Sequence, residues 1–136
     1  MYETFDHTAD LGLRIEAATL EELFEEAARG ITAQIVENVA AISPTEELTL
    51  EKQGTETDYL LFDWLDELIY QYEVRHRVFA EFEIKLTSEG FTATLRGEPV
   101  DREKHVLSHE VKAVTYHGFV VEQTENGWRA ELILDI

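Results

Sequence analysis

A chain of 136 residues is long enough to bury a real hydrophobic core. Its formal net charge of −18 excludes the basic footprint that strong direct binding of nucleic acid requires. The absence of cysteine excludes disulfides and thiolate-held metals, so any metal must be held by oxygen or histidine.

The charge is uneven: residues 1–74 carry 18 acidic and 3 basic side chains, against 11 and 8 in residues 75–136. Such an acidic surface suits a cation or a basic protein partner. No apolar run approaches the length of a membrane helix, and Met1-Tyr2-Glu3-Thr4 opens no signal peptide. The expectation is one soluble, cytoplasmic domain over residues 1–136, with no membrane partner.

The segment from Phe5 to Ala17 reads as a turn or irregular start around His7-Thr8-Ala9-Asp10, followed by a strand with Leu11, Leu13 and Ile15 on one face. Thr19-Leu20-Glu21-Glu22 is a capping box. Beyond it, Leu20, Leu23, Phe24, Ala27, Ala28, Ile31 and Ile35 follow helical spacing, which predicts an amphipathic helix over about 20–36. Glu21, Glu22, Glu25, Glu26 and Arg29 fall on its polar face. Ser43-Pro44 marks a turn, and Leu48 to Leu50 make a short strand candidate.

A second helix starts at Thr55 or Thr57, with an apolar stripe from Leu60 to Tyr72 that includes Trp64. Arg75-His76-Arg77 is expected in its last turn, where cations offset the helix dipole.

From there the pattern is β. Phe82, Ile84 and Leu86 alternate with acids and Lys85, Ser88-Glu89-Gly90 turns the chain, and Phe91, Ala93 and Leu95 return. Gly97 to Asp101 reads as a loop. Val111 to Tyr116 and Phe119 to Val121 are strand candidates, and Asn126-Gly127 is a hairpin turn into a last strand ending Leu132-Ile133-Leu134-Asp135-Ile136. The fold class is α+β: antiparallel β-sheets, two-layer or sandwich-like, packed with two amphipathic helices.

Four segments could carry chemistry. Asp10 lies just before a strand. Asp135 and a terminal carboxylate on Ile136 place oxygen ligands side by side, a half-site for a hard cation. His109 and His117 flank a strand candidate in which Lys112 alternates with apolar residues, a cation able to reach a phosphate or a carboxylate. The fourth is the Gly97–Asp101 loop. From spacing alone each is better explained by a turn, a solvated end or surface histidines. There is no phosphate-binding glycine loop, no Gly-x-Ser-x-Gly elbow and no His-Glu-x-x-His pair.

The order and spacing of His7-Thr8-Ala9-Asp10, of Trp64-Leu65 with Glu67-Leu68, of Val111-Lys112-Ala113-Val114-Thr115-Tyr116-His117, and of the closing Asp135-Ile136 resemble the archease family over nearly the whole chain. Asp66 departs from the Asn that many members carry. The resemblance implies an archease-like fold and an accessory protein, not an enzyme. Such a protein activates the guanylate-dependent tRNA-splicing RNA ligase, promotes its guanylylation and multiple turnover, and broadens the nucleotides it accepts. It further implies a divalent cation, calcium, held by Asp10, Asp135 and Ile136, and a role for Lys112, with His7, in activating the partner. Two other readings stay open on the residues: a metal-dependent phosphoester hydrolase using Asp10 and Asp135, and a general acidic chaperone or adaptor.

Overall fold

The computed structural model of the chain describes residues 1–7 and 10–136, the side chains of Asp6 and His7 excepted. Seven strands and two α-helices follow in the order β1 (Tyr2–His7), β2 (Asp10–Ala17), α1 (Leu20–Ile35), β3 (Glu46–Gln53), α2 (Thr57–Glu73), β4 (Arg77–Thr87), β5 (Gly90–Pro99), β6 (Ala113–Thr124) and β7 (Gly127–Asp135). A 3-10 turn covers Val39–Ala41. The strands form two antiparallel sheets, β1-β2-β7-β6 and β3-β5-β4.

Helix α1 starts where the capping box places it: the Thr19 side chain accepts the Glu22 N–H at 3.2 Å. It ends at Val36, whose extended backbone donates to the Thr32 carbonyl at 2.8 Å. Helix α2 ends earlier than charge patterning predicts. Glu73 is its last residue, and His76 takes a left-handed φ of 56° before Arg77 opens β4. The expected basic last turn is therefore a linker, because the chain must reverse there to feed the second sheet.

Each helix touches both sheets, so the sheets are joined through the helices. Leu13, Ile15, Ala130, Leu132 and Leu134 supply the buried face of the larger sheet; Phe82, Ile84, Phe91, Ala93 and Leu95 supply that of the smaller. Trp64 stands between the helices and the smaller sheet with no exposed surface. Its rings meet Phe82 and Phe91 edge-on at 6.1 and 5.8 Å, and its Nε1–H donates to the Phe24 carbonyl at 2.9 Å.

Three further segments differ from the expectation. Tyr2–His7 is a strand, although it sits at a sheet edge with Tyr2, Glu3 and Thr4 exposed and so lacks a clean alternation. Gly97 to Pro99 continue β5, and only Val100 onward is loop. A Cβ at Gly97 would stand 2.0 Å from the Val78 carbonyl oxygen, where β4 slips register between Phe79 and Glu81. Glycine there serves a close backbone approach inside a strand. Finally, Glu21 and Glu25 do not simply face water: they accept the main-chain N–H groups of Leu86 and Ile84, at 3.0 and 2.9 Å, along the outer edge of β4.

Trp64→Ala is expected to destabilise the fold by about 3–5 kcal/mol, through the cavity it leaves and the loss of the indole hydrogen bond to the Phe24 carbonyl. Urea unfolding of the two proteins measures this.

Candidate functional site

Strand β7 lies between β2 and β6, so the opening of β2, the end of β7 and the opening of β6 share one end of the larger sheet. Leu11 pairs with Leu134, and one step further out on the same two strands stand Asp10 and Asp135. Strand alternation sets this step on the face opposite the buried Leu13 and Leu132. On the other side Ala113 pairs with Asp135, and the Lys112 N–H donates to the Asp135 carbonyl at 2.8 Å. Asp10, Asp135 and Lys112 are thus held on three adjacent chain segments although 125 positions separate the first two in sequence.

Asp135 and Lys112 are exposed and Asp10 is half-buried. Ile136 is half-buried and packs against the core, which anchors the segment beyond β7. Among the described residues Lys112 has no ion-pair partner, as is also true of Arg75, Lys85 and Arg102, whereas Arg14, Arg29, Lys52, Arg77, Arg96, Lys104 and Arg129 all have one. The carboxylates offer only oxygen, which fits a hard cation such as calcium. Among the described residues no three His, Cys, Asp or Glu side chains cluster to hold a metal; Asp10 and Asp135 are two, with a main-chain carboxyl as the third donor of the expected set. The side chain of His7, with Thr8 and Ala9, lies outside the described residues.

The model of the archease protein family matches residues 2–136. The chain belongs to the archease family. The archease of Methanopyrus kandleri is 37% identical over 139 residues, covering 99% of either chain. That of Pyrococcus furiosus is 39% identical over 140 residues, covering 99% of this chain and 98% of its own. The fold agrees. The solution structure of Methanobacterium thermoautotrophicum protein 1598 superimposes with a TM-score of 0.83 at 31% identity, covering 99% of this chain and 98% of that one. The crystal structure of a Thermotoga maritima archease, described as a possible chaperone, gives 0.68 at 25% identity, covering 100% and 98%.

Elsewhere on this archease chain the two histidines singled out in the sequence fall apart. His109 sits in the loop between β5 and β6, its N–H donating to the Gln34 carbonyl at 2.9 Å, while His117 lies within β6. They do not flank one strand.

Two arrangements were not foreseen in the sequence, although the first draws on Glu98 and Asp101 of the Gly97–Asp101 candidate. The first is a partly buried polar knot. Glu98 accepts from the Ser43 N–H, the Lys104 ammonium and His105 Nε2, each at 2.8 Å. His105 is 1% exposed, and its Nδ1 accepts the Asp101 N–H at 3.0 Å, so Nε2 carries the ring proton. The knot ties the loop after β5 to the segment before β3. Only the Glu98–Lys104–His105 spacing hints at it. The second is an aromatic cluster of Tyr59, Phe62, Tyr116 and Phe119 beside Asp58. The Tyr116 hydroxyl donates to Asp58 at 2.8 Å, which holds that phenol well above its ordinary titration range.

The knot sets a pH limit. The bond from Lys104, then that from the Ser43 N–H, holds the Glu98 carboxyl at about 2, down from 4.5. A depressed carboxyl contributes stability that is present above its ordinary range and lost as pH falls through its folded value. Stability is therefore expected to drop between about pH 4.5 and 2. Glu98→Gln should lower stability at neutral pH and flatten that acid limb, as read from urea midpoints across pH.

Proposed function

We propose that this chain is a cytoplasmic, metal-binding accessory protein that activates the tRNA-splicing RNA ligase. In this reading it promotes guanylylation of the ligase and multiple turnover, and broadens the nucleotides the ligase accepts. The observation that carries the reading is the convergence of Asp10, Asp135 and Lys112 at one end of a sheet in an archease family member.

Asp10 and Asp135, with the Ile136 carboxyl, would hold a divalent cation, calcium. When bound, that cation supplies a compact positive charge that can orient phosphate or carboxylate oxygens of a partner. The chain's own residues do the rest. The two aspartates sit on neighbouring strands of one sheet, so the backbone ladder fixes their separation. Ile136, half-buried against the core, would hold the third donor near them. Lys112, exposed beside Asp135, offers an ammonium to a phosphate or a carboxylate. His7 is assigned to the same contact with the partner. The acidic surface is complementary to the basic nucleic-acid channel that an RNA ligase needs. No nucleophile of this chain is required, because the chemistry belongs to the ligase.

Asp10→Ala should abolish stimulation in single- and multiple-turnover ligation assays while leaving the unfolding midpoint nearly unchanged. Normal stimulation by that variant removes the metal site from the reading. Phosphoester hydrolysis by the purified chain alone, lost on Asp10→Ala, would replace the activator by a hydrolase. A chain extended beyond Ile136 should stimulate poorly, since its terminal carboxylate becomes a neutral amide; full stimulation would show that this donor is dispensable.

A further inference from the structure

Strand β6 forms one edge of the larger sheet, and its pairing with β7 breaks between Thr115 and Val120. The four residues between form a bulge, turned by Gly118 at a left-handed φ of 73°. The bulge carries Tyr116 and Phe119 over to α2. There Tyr59, Tyr116 and Phe119 make a continuous stack, with near-parallel rings at 5.5 and 5.8 Å between centroids and angles of 10° and 11°. Phe62 closes the stack from below, edge-on to both Tyr116 and Phe119.

The stack is ordered yet uncovered: Tyr59 is 56% exposed and Tyr116 44%. Asp58 sits beside it, one oxygen accepting from Tyr116 at 2.8 Å and the other from the Tyr59 N–H at 3.0 Å. No lysine or arginine occurs from Gln53 to Val74, where six acids do, and none occurs from Ala113 to Thr124. The face is aromatic and anionic together.

We propose that Tyr59, Tyr116 and Phe119, with Asp58, form a docking ledge for an arginine-bearing basic segment of a partner protein. A guanidinium stacks on the outer face of an aromatic ring and donates to a nearby carboxylate, which no lone hydrophobic anchor would exploit. Rings locked by stacking lose little side-chain freedom on binding, a property of interface hot spots. The ledge is also close to the strand ends. Tyr116 is three residue steps along β6 from Ala113, which stands opposite Asp135, a span of roughly 10 Å. One partner can touch both.

The inference rests on the preceding reading for the partner, the RNA ligase, and its test separates the two. Binding of the chain to the ligase is measured by calorimetry, and stimulation of ligation is measured at saturating chain. Tyr59→Ser should weaken binding at least about tenfold while saturating stimulation persists. Tyr59→Phe, which keeps the stack, should bind like the parent. Asp58→Asn should weaken binding and reduce its salt dependence. Unfolding midpoints confirm that each variant is folded, and Phe119→Leu offers a second probe of the stack. Unchanged affinity in Tyr59→Ser and Asp58→Asn overturns the ledge and leaves the activator reading intact. Binding that needs the ledge but brings no stimulation upholds the ledge and overturns the activator. No binding by the parent chain overturns both. Self-association lost in Tyr59→Ser, with ligase affinity unchanged, assigns the ledge to a second copy and also overturns the proposal.

Discussion

The pairing of β2 with β7 is the constraint on which the rest depends. It runs from Leu11–Leu134 to Ala17–Trp128 and sets β7 in the interior of the larger sheet. Leu13 against Leu132 and Ile15 against Ala130 bury completely on one face. On the other, Arg14 bridges Glu3 of β1 and Glu131 of β7 at 2.8 Å each, so one guanidinium tracks across three strands. A shift of one residue would turn every one of these contacts to the wrong face. The same register sets Asp10 beside Asp135. The candidate site is a consequence of core packing, not a separate construction.

The excess of acid is not only a solvated coat. Glu21 and Glu25 reach from α1 to the N–H groups of β4, an edge strand that would otherwise present a row of free donors. Glu98 organises a partly buried knot around His105 and Lys104. Seven basic side chains are committed to ion pairs among the described residues, several of them cross-strand, such as Arg96 with Glu47 and Glu81. Net charge therefore understates how specifically individual carboxylates are placed. Exposed pairs of this kind add little each, but the half-buried acceptors are needed because unpaired main-chain donors there are costly.

Local chemistry made much of this fold legible. The Thr19 capping box, the stripe through Trp64, the Ser88–Gly90 and Asn126–Gly127 turns and the alternation of β4, β5 and β7 are each written in a few adjacent residues. What escaped depends on residues distant in sequence. Tyr2–His7 becomes a strand because β2 pairs with it. Gly97 reads as a loop glycine until Val78 approaches it. The end of α2 is decided by the reversal at His76, not by the basic residues that dipole reasoning favours. At the site, the residues Asp10, Asp135 and Lys112 could be singled out from family likeness. Their adjacency follows from strand order, which no local pattern states. The aromatic ledge was hidden for the same reason: Tyr59 and Tyr116 are ordinary surface tyrosines until a bulge stacks them.

The interior position of β7 bears on how the chain reaches its native state. Arg14 and Glu131 are 117 positions apart, so closing β2 onto β7 costs the entropy of a very long loop. The hairpin of β4 and β5 and the helix α1 need only near neighbours and can form while that loop is still open. Until β7 enters, the facing edges of β2 and β6 stay unpaired, and topology of this kind folds slowly. The step that creates the candidate site is thus the step that closes the sheet. A chain in which Asp10 and Asp135 stand together has already passed its slowest pairing, and an incompletely folded chain has no such site to offer a partner.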